Sequence, residues 1–587
     1  MMVDAIVTEI VMSRIAEVAA AMEHALYHAG YSPILRESRD GTAGLTDDIG
    51  RVLMVGGGLQ FHTIPYMQAV RSVCDRFPIG SMRAGDSYIV NDPYLCGNPH
   101  VPDMVAVTPV FFDGAVIAFA VSIAHKSDLG GLVPGSSGAG SREIFHDGLR
   151  LPPVLFRSSE GFIQCVEDII RLNSRTPDIV LGDLRGQIGA TQVGAERLCL
   201  LCDEYGSDVV REVMRRILAF AAMRLGRELS VLPDGDAECE GFLDHDGADL
   251  STPVRIAVQV RKRGDRLVID FSGSAGQTQG PVNLTPWTAR SVSLLAVLAA
   301  TDPSIPVNSG LLDNVEVTLP LASVVNPSFP ATVNLYFPTA VMAYTCVLTA
   351  MGKLNPSRKV APSGMVTGAI SLGYRAHGAE DAKVQYELAL TGLGGTNVKD
   401  GTCMVTPINH FTAGSPVEIV ETEYPVLVRR YDIWQDSAGP GRFRGGIGYV
   451  RELQVLQDCS LTLRSAGHRS SAWGLDGGGG PATSRTVINP GAPSERALDA
   501  IATAQMKAGD ILQICRSGGS GCSNPFERDL KDVCLDVEDG YVSVEAARSA
   551  YGVATYPDGT PDMLATNALR NDSNLFPVST CVPDFRL

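Results

Sequence analysis

The sequence has no apolar run long enough to span a membrane. Stretches such as Val292 to Ala300 stop well short of the roughly 20 residues a spanning helix needs. It also lacks the start of a secretory signal, because MMVDAIVTEIVMSR carries acids where a basic segment would stand. A cytoplasmic location is expected. Positive charge is scarce: 48 Lys and Arg face 65 Asp and Glu, for a net charge of −17. That sign disfavours nucleic acid and anionic membrane surfaces as partners. No Walker motif or kinase-type glycine loop is present, so the chain alone is not expected to hydrolyse ATP. Thirteen cysteines, an odd number, form no framework. The close pair Cys199-Leu-Leu-Cys202 has no second CxxC nearby and falls in a helical pattern, so buried thiols are expected.

What is present fits a large folded protein. At 587 residues and 45% hydrophobic content there is material for two to four domains. Ile6, Ile10, Val11, Ile15, Val18, Met22, Ala25 and Leu26 recur at helical spacing and stop at Gly30. Helical patterns return between Gly161 and Leu232, and again from Thr288 to Ala300. VRIAVQVRKRGDRLVIDFSGS (254–274) reads as a β-meander. From about Ser415 the chain is short strands and glycine turns, closing with a short helix near Ser543 to Tyr551. The expected fold is α+β, mixed and multi-domain. A helical and β-hairpin N-terminal part (1–235) precedes a central α+β part (236–414) and a β-rich C-terminal part (415–587).

The most informative stretch runs from Asn91 to Asp128. It contains His-x-x-Asp twice, His100/Asp103 and His125/Asp128, joined by two Val-, Ile- and Phe-rich runs around Asp113-Gly114, a type I′ turn signal. Pairing Phe112 with Ala115 and counting back puts Asp103 opposite Ala124 and Pro102 opposite His125. All four candidate ligands then collect at the open end of one hairpin. Two imidazoles and two carboxylates suit one divalent transition metal, Zn, Mn or Fe.

Other candidates surround this region. Asp92 would orient a ligand imidazole from behind, or form a turn before Pro93. Glu37, Arg39 and Asp40 form a charged cluster that would contact substrate. Glu143 and His146 would supply acid–base chemistry. Between them and the hairpin, GGLVPGSSGAG (130–140) reads as a substrate-covering loop or a connector. His62 is a weaker candidate, and His468 with Trp473 reads as core or interface.

The hairpin with its NDPY lead-in, RESRD (36–40), REIFHDGLRLPP (142–153), DFSGSAGQTQGPVN (270–283), GPGRFRGG (439–446) and SGGSGCSNPFERD (517–529) together resemble the hydantoinase B/oxoprolinase B-type family, in the family's order and nearly end to end. The resemblance implies a subunit of an ATP-dependent enzyme. A hydantoinase A-type subunit would use ATP and Mg to phosphorylate a small cyclic amide or ketone, and the B-type subunit would complete the reaction within a hetero-oligomer. It also implies that His100, Asp103, His125 and Asp128 hold the metal. The sequence departs from the family at NPHVPD, where the common form has Thr before the His and one residue fewer.

Three functions follow from this. The first is hydrolysis of a lactam, hydantoin or imide, with metal-bound hydroxide attacking the phosphorylated amide. The second is a ketone carboxylase subunit of the acetone or acetophenone type. The third is a non-catalytic scaffold for the ATP-binding subunit. Chain length favours the first.

Overall fold

The structure is a computed structural model and describes residues 3–365, 368–374, 382–405, 407–408 and 412–571. Its N-terminal part is built on a seven-stranded antiparallel sheet. The strands are β1 (Gly41–Asp47), β2 (Val52–Val55), β3 (Ser87–Val90), β4 (Asp103–Phe112), β5 (Ala115–His125), β6 (Val154–Ser158) and β7 (Gly161–Phe162), in the order β2-β1-β5-β4-β3-β6-β7. β4 and β5 lie at its centre and are buried on both faces, which explains their continuous apolar run in place of strict alternation. Val105, Val107, Val121 and Ile123 face a core shared with the helices Thr63–Arg76 and Pro286–Ala300. The opposite face packs on the helices Ala5–His28 and Pro177–Tyr205. The first of these begins where Asp4 caps the Ile6 amide, and it buries Val11, Ile15, Val18, Met22 and Leu26 at helical spacing. Cys199 and Cys202 lie on the second as free thiols.

The hairpin turn is as expected: Asp113 and Gly114 both have positive φ, at 50° and 77°. The pairing beyond it is not. Phe112 faces Ala115 and Phe111 faces Val116, but Val110 then faces Ala118, so a bulge takes up one extra residue. The shift sets Asp103 directly opposite His125.

A second sheet, β8 (Gly235–Leu243), β9 (Val254–Arg263), β10 (Arg266–Asp270) and β11 (Val315–Thr318), follows, with β10 and β11 parallel. The buried helix Phe337–Leu354 packs on it. Two further sheets form a sandwich. One contains β12 (Ala369–Tyr374) and β13 (Lys383–Leu388) with Cys459–Arg464 and Ile501–Met506; the other has five strands within 426–516. Leu372, Leu453, Leu461, Leu463, Leu512 and Ile514 fill the space between them. The last described residues hold more helix than the sequence suggested: Leu530–Glu538, Val544–Tyr551 and Met563–Asn571. Ser543 caps the middle one. Among the described residues no helix is long and apolar enough to cross a membrane.

Candidate metal centre

Three donor atoms converge at the open end of the hairpin. His100 Nε2 lies 3.0 Å from Asp103 Oδ1, His125 Nδ1 lies 3.1 Å from the same oxygen, and the two nitrogens are 3.2 Å apart. All three residues are buried. Three donors in a near-equilateral triangle have no mutual hydrogen-bonding scheme that satisfies them all, and Asp103 Oδ2 and His125 Nε2 find no partner. The triangle does suit a cation. Ligands at roughly 2.1 Å have neighbours about 3.0 Å apart on an octahedral face and about 3.4 Å apart on a tetrahedron. The separations match the octahedral face, the arrangement of a two-His, one-carboxylate triad with open positions.

The surrounding residues prepare the donors. His100 Nδ1 lies 3.0 Å from the Asn334 carbonyl and donates to it, which turns Nε2 toward Asp103 and His125. Asn334 is held in turn through Nδ2, which donates to the Ser136 carbonyl at 2.7 Å and to Asp147 Oδ1 at 3.1 Å. Thr332 Oγ1 donates to the same carboxylate. Asn98 clamps the ligand segment, its Nδ2 donating to the carbonyls of His100 and Asp103 at 2.6 and 2.9 Å. His100 is thereby placed in the triangle despite the extra residue in NPHVPD. Burial lowers the His125 pKa to about 4, against the pull of Asp103, so the ring is neutral and ready to ligate at pH 7. Burial pushes the Asp103 carboxyl up, but His100, His125 and His62 outweigh it and hold it well below the usual range.

Asp128, expected as a fourth ligand, is engaged elsewhere. β5 ends at His125, so the chain leaves the hairpin face before residue 128. The Asp128 carboxylate pairs with the Arg175 guanidinium at 2.9 Å and accepts from the amides of Arg175, Gly130 and Gly135. Arg175 also donates to the carbonyls of Gly130, Gly131 and Val133. The glycine-rich loop is therefore tied down as a connector, and Ser371 Oγ donates to its Pro134 carbonyl.

Asp92 does not reach an imidazole either. It caps the short helix Pro93–Cys96 through the Tyr94 and Leu95 amides and pairs with Arg150 at 3.1 Å. Glu143 and His146 sit 3.8 Å apart on a half-exposed turn outside the cavity. Glu37 pairs with Arg36, and Arg39 lies against the Tyr27 ring, so neither lines the cavity.

Asp40 does. Its carbonyl accepts from the His125 amide, and burial together with the charge of Asp103 raises its carboxyl well above the usual range. The cavity of about 50 Å³, room for a few water molecules, is also walled by His100, Asp103, His125, Tyr336, Tyr386 and Arg464. His62, fully buried, brings Nε2 to 3.7 Å from Asp103 Oδ2, and neither ring nitrogen has a hydrogen bond. Sequence reasoning missed Asn334, Tyr336, Tyr386 and Arg464, which carry no local signal. Asp147 lies within the REIFHD segment, beside Glu143 and His146.

The family model for hydantoinase B/oxoprolinase matches residues 4–525. The chain belongs to the hydantoinase B/oxoprolinase family. It is 30% identical to the B-type component of the "Putative D-/L-hydantoinase" of Pseudomonas sp. (strain NS671), covering 97% of this chain and 98% of that one. Among solved structures, the ATP-dependent caprolactamase of Pseudomonas jessenii superposes with a TM-score of 0.89 at 26% identity, over 97% of this chain and 100% of that one. Nucleotide-free acetone carboxylase shares the fold, with a TM-score of 0.89 at 21% identity over 82% of its chain. Both superpositions extend over nearly all of this chain's mixed α/β architecture.

Proposed function

We propose that this chain is the hydrolytic subunit of an ATP-dependent cyclic amide hydrolase, working in the cytoplasm, where ATP is available to a hydantoinase A-type partner. The observation that carries the reading is the triangle of buried donors His100 Nε2, Asp103 Oδ1 and His125 Nδ1, with edges of 3.0 to 3.2 Å on the wall of a cavity. These three residues would hold a divalent metal, Mn or Fe fitting the octahedral face better than Zn. When bound, such a metal supplies Lewis acidity and lowers the pKa of a coordinated water.

An amide carbon is a poor electrophile until its oxygen becomes a leaving group, and the partner would achieve that by phosphorylation. This chain's residues then do the remaining work. His100, oriented by the Asn334 carbonyl, and His125, whose pKa burial lowers to about 4, would offer their facing ring nitrogens to the metal. Phe61, Leu335, Pro338 and Leu388 give the same cavity apolar walls, against which the hydrocarbon part of a ring would pack. The match over the full length of the caprolactamase chain, against 82% of the acetone carboxylase chain, supports amide opening over ketone carboxylation.

The test is metal content by ICP-MS on the purified chain, wild type beside His125→Ala, followed by assay with the partner. About one metal per chain is expected in the wild type and little in the variant. Ring opening should fall by at least about a hundredfold, while partner-dependent ATP turnover persists at least in part. Normal metal content in His125→Ala would remove the site.

A further inference from the structure

The wall of the cavity facing the triad contains a buried cation that makes no ion pair among the described residues. Arg464 ends the strand Cys459–Arg464, paired with Ala369 of β12 on one side and Ile501 on the other, and its side chain is 4% exposed. Its guanidinium carbon lies 4.3 Å from the centre of the Tyr386 ring, and the His125 ring is also 4.3 Å from that centre. Stacking occupies the guanidinium face and leaves its edges free. The Nε and Nη2 donors, which form the side-on fork of the group, have no hydrogen-bond partner, and among the described residues Arg464 makes no ion pair.

Two other buried arginines of the sandwich, Arg451 and Arg516, also leave Nε and Nη2 without partners, but Arg451 pairs with Glu387 and Arg516 donates to Ser465 Oγ, each through Nη1. Neither lines this cavity. A desolvated guanidinium with an empty fork is costly unless an anion fills it. The fork matches the two oxygens of a carboxylate or a phosphoryl group.

We propose that Arg464 anchors an oxyanion of the substrate, a carboxylate or a phosphoryl group, and so turns the reacting carbon toward His100, Asp103 and His125. This deepens the hydrolase reading and rests on it for the identity of the facing site. Where the oxyanion is a carboxylate of the ring, the anchor makes Arg464 a specificity-determining residue that selects small rings bearing an anion over neutral rings of the same size; where it is the phosphoryl group, Arg464 positions the phosphorylated ring whatever its other substituents. Asp40, on the same wall, makes no ion pair with Arg464 and so leaves the fork open to the ligand.

Three probes separate the sources of the anion: 2-pyrrolidone, its 5-carboxylate, and inorganic phosphate. Each is titrated calorimetrically into the full, Mn-loaded chain. A carboxylate anchor predicts that the wild type binds the 5-carboxylate at least about tenfold tighter than 2-pyrrolidone. That gap should close in Arg464→Gln with metal content unchanged. Arg464→Lys, which keeps the charge without the fork, should fall between the two and serves as the variant if Arg464→Gln does not fold. A phosphoryl anchor predicts phosphate binding that is lost in Arg464→Gln, with no gap between the two lactams.

Anion binding indifferent to both substitutions, or no binding of either anion by the wild type, overturns the anchor. Loss of metal in both variants would make Arg464 structural and overturns it as well. Arg464-dependent anion binding without partner-dependent lactam opening keeps the anchor and removes the hydrolase reading. Lactam opening with anion binding indifferent to Arg464 does the reverse.

Discussion

Asp147 is the residue on which the geometry of His100 depends at one remove. Its carboxylate accepts from Thr332 Oγ1 and Asn334 Nδ2, and the Asn334 carbonyl accepts from His100. Asp147→Ala should therefore weaken metal affinity by roughly 10- to 100-fold, read by competition with a chelator, while Asp147→Asn should retain more of it. The group also predicts a pH effect on stability. Burial raises the Asp147 pKa to about 7, against about 3.9 in an unfolded chain. Between those values the folded state holds a proton that the unfolded state has lost, so this contribution is full below about pH 4 and declines as pH rises toward 7. Thermal midpoints measured across that window should fall less with rising pH in Asp147→Asn than in the wild type. Equal slopes would show that Asp147 is not the group responsible. The sequence marked His100, Asp103 and His125 because they lie within one hairpin. Asp147, Asn334 and Arg464 reach the site only through tertiary packing, and no local pattern distinguishes them from other polar residues.

At the scale of the element, the hairpin shows what pattern can and cannot settle. Asp113-Gly114 specified the turn, and the apolar runs specified two central strands. The bulge beyond Val110 carries no sequence signal, because Val116 and Ile117 suit either register. Counting back from the turn therefore placed Asp103 one residue out, opposite Ala124 instead of His125. At the NDPY lead-in the structure takes the second of the two readings of Asp92, a turn before Pro93. Asp92 precedes a proline, and its side chain finds the nearest free amides, those of Tyr94 and Leu95, before any imidazole. Asp92→Ala should accordingly cost about 1 to 2 kcal/mol of stability through the lost cap and the Arg150 pair. It should leave metal content at the wild-type level. Loss of metal in this variant would restore the role in orienting a ligand that the sequence suggested.

At the scale of the whole molecule, the site belongs to no single part of the chain. His100, Asp103 and His125 come from the N-terminal sheet, Asn334 and Tyr336 from the segment leading into the helix Phe337–Leu354, and Tyr386 and Arg464 from the sandwich. The division into three parts, drawn from composition, passes through the cavity. Composition records where strands give way to helices; it does not record which surfaces meet. A metal bound at this junction adds its binding free energy to the folded state that contains all three contributions, about 2.7 kcal/mol at a free concentration one hundred times Kd. Chelation should therefore lower the midpoint of the main calorimetric transition as a whole, without splitting off an early transition for the N-terminal part, and Mn should restore it. His125→Ala should unfold near the chelated midpoint and respond to neither treatment. A chelation effect confined to an early, separate transition would mean that the N-terminal sheet holds its metal independently of Asn334 and the sandwich, and the cavity would then be a product of docking, with no part in building the metal site.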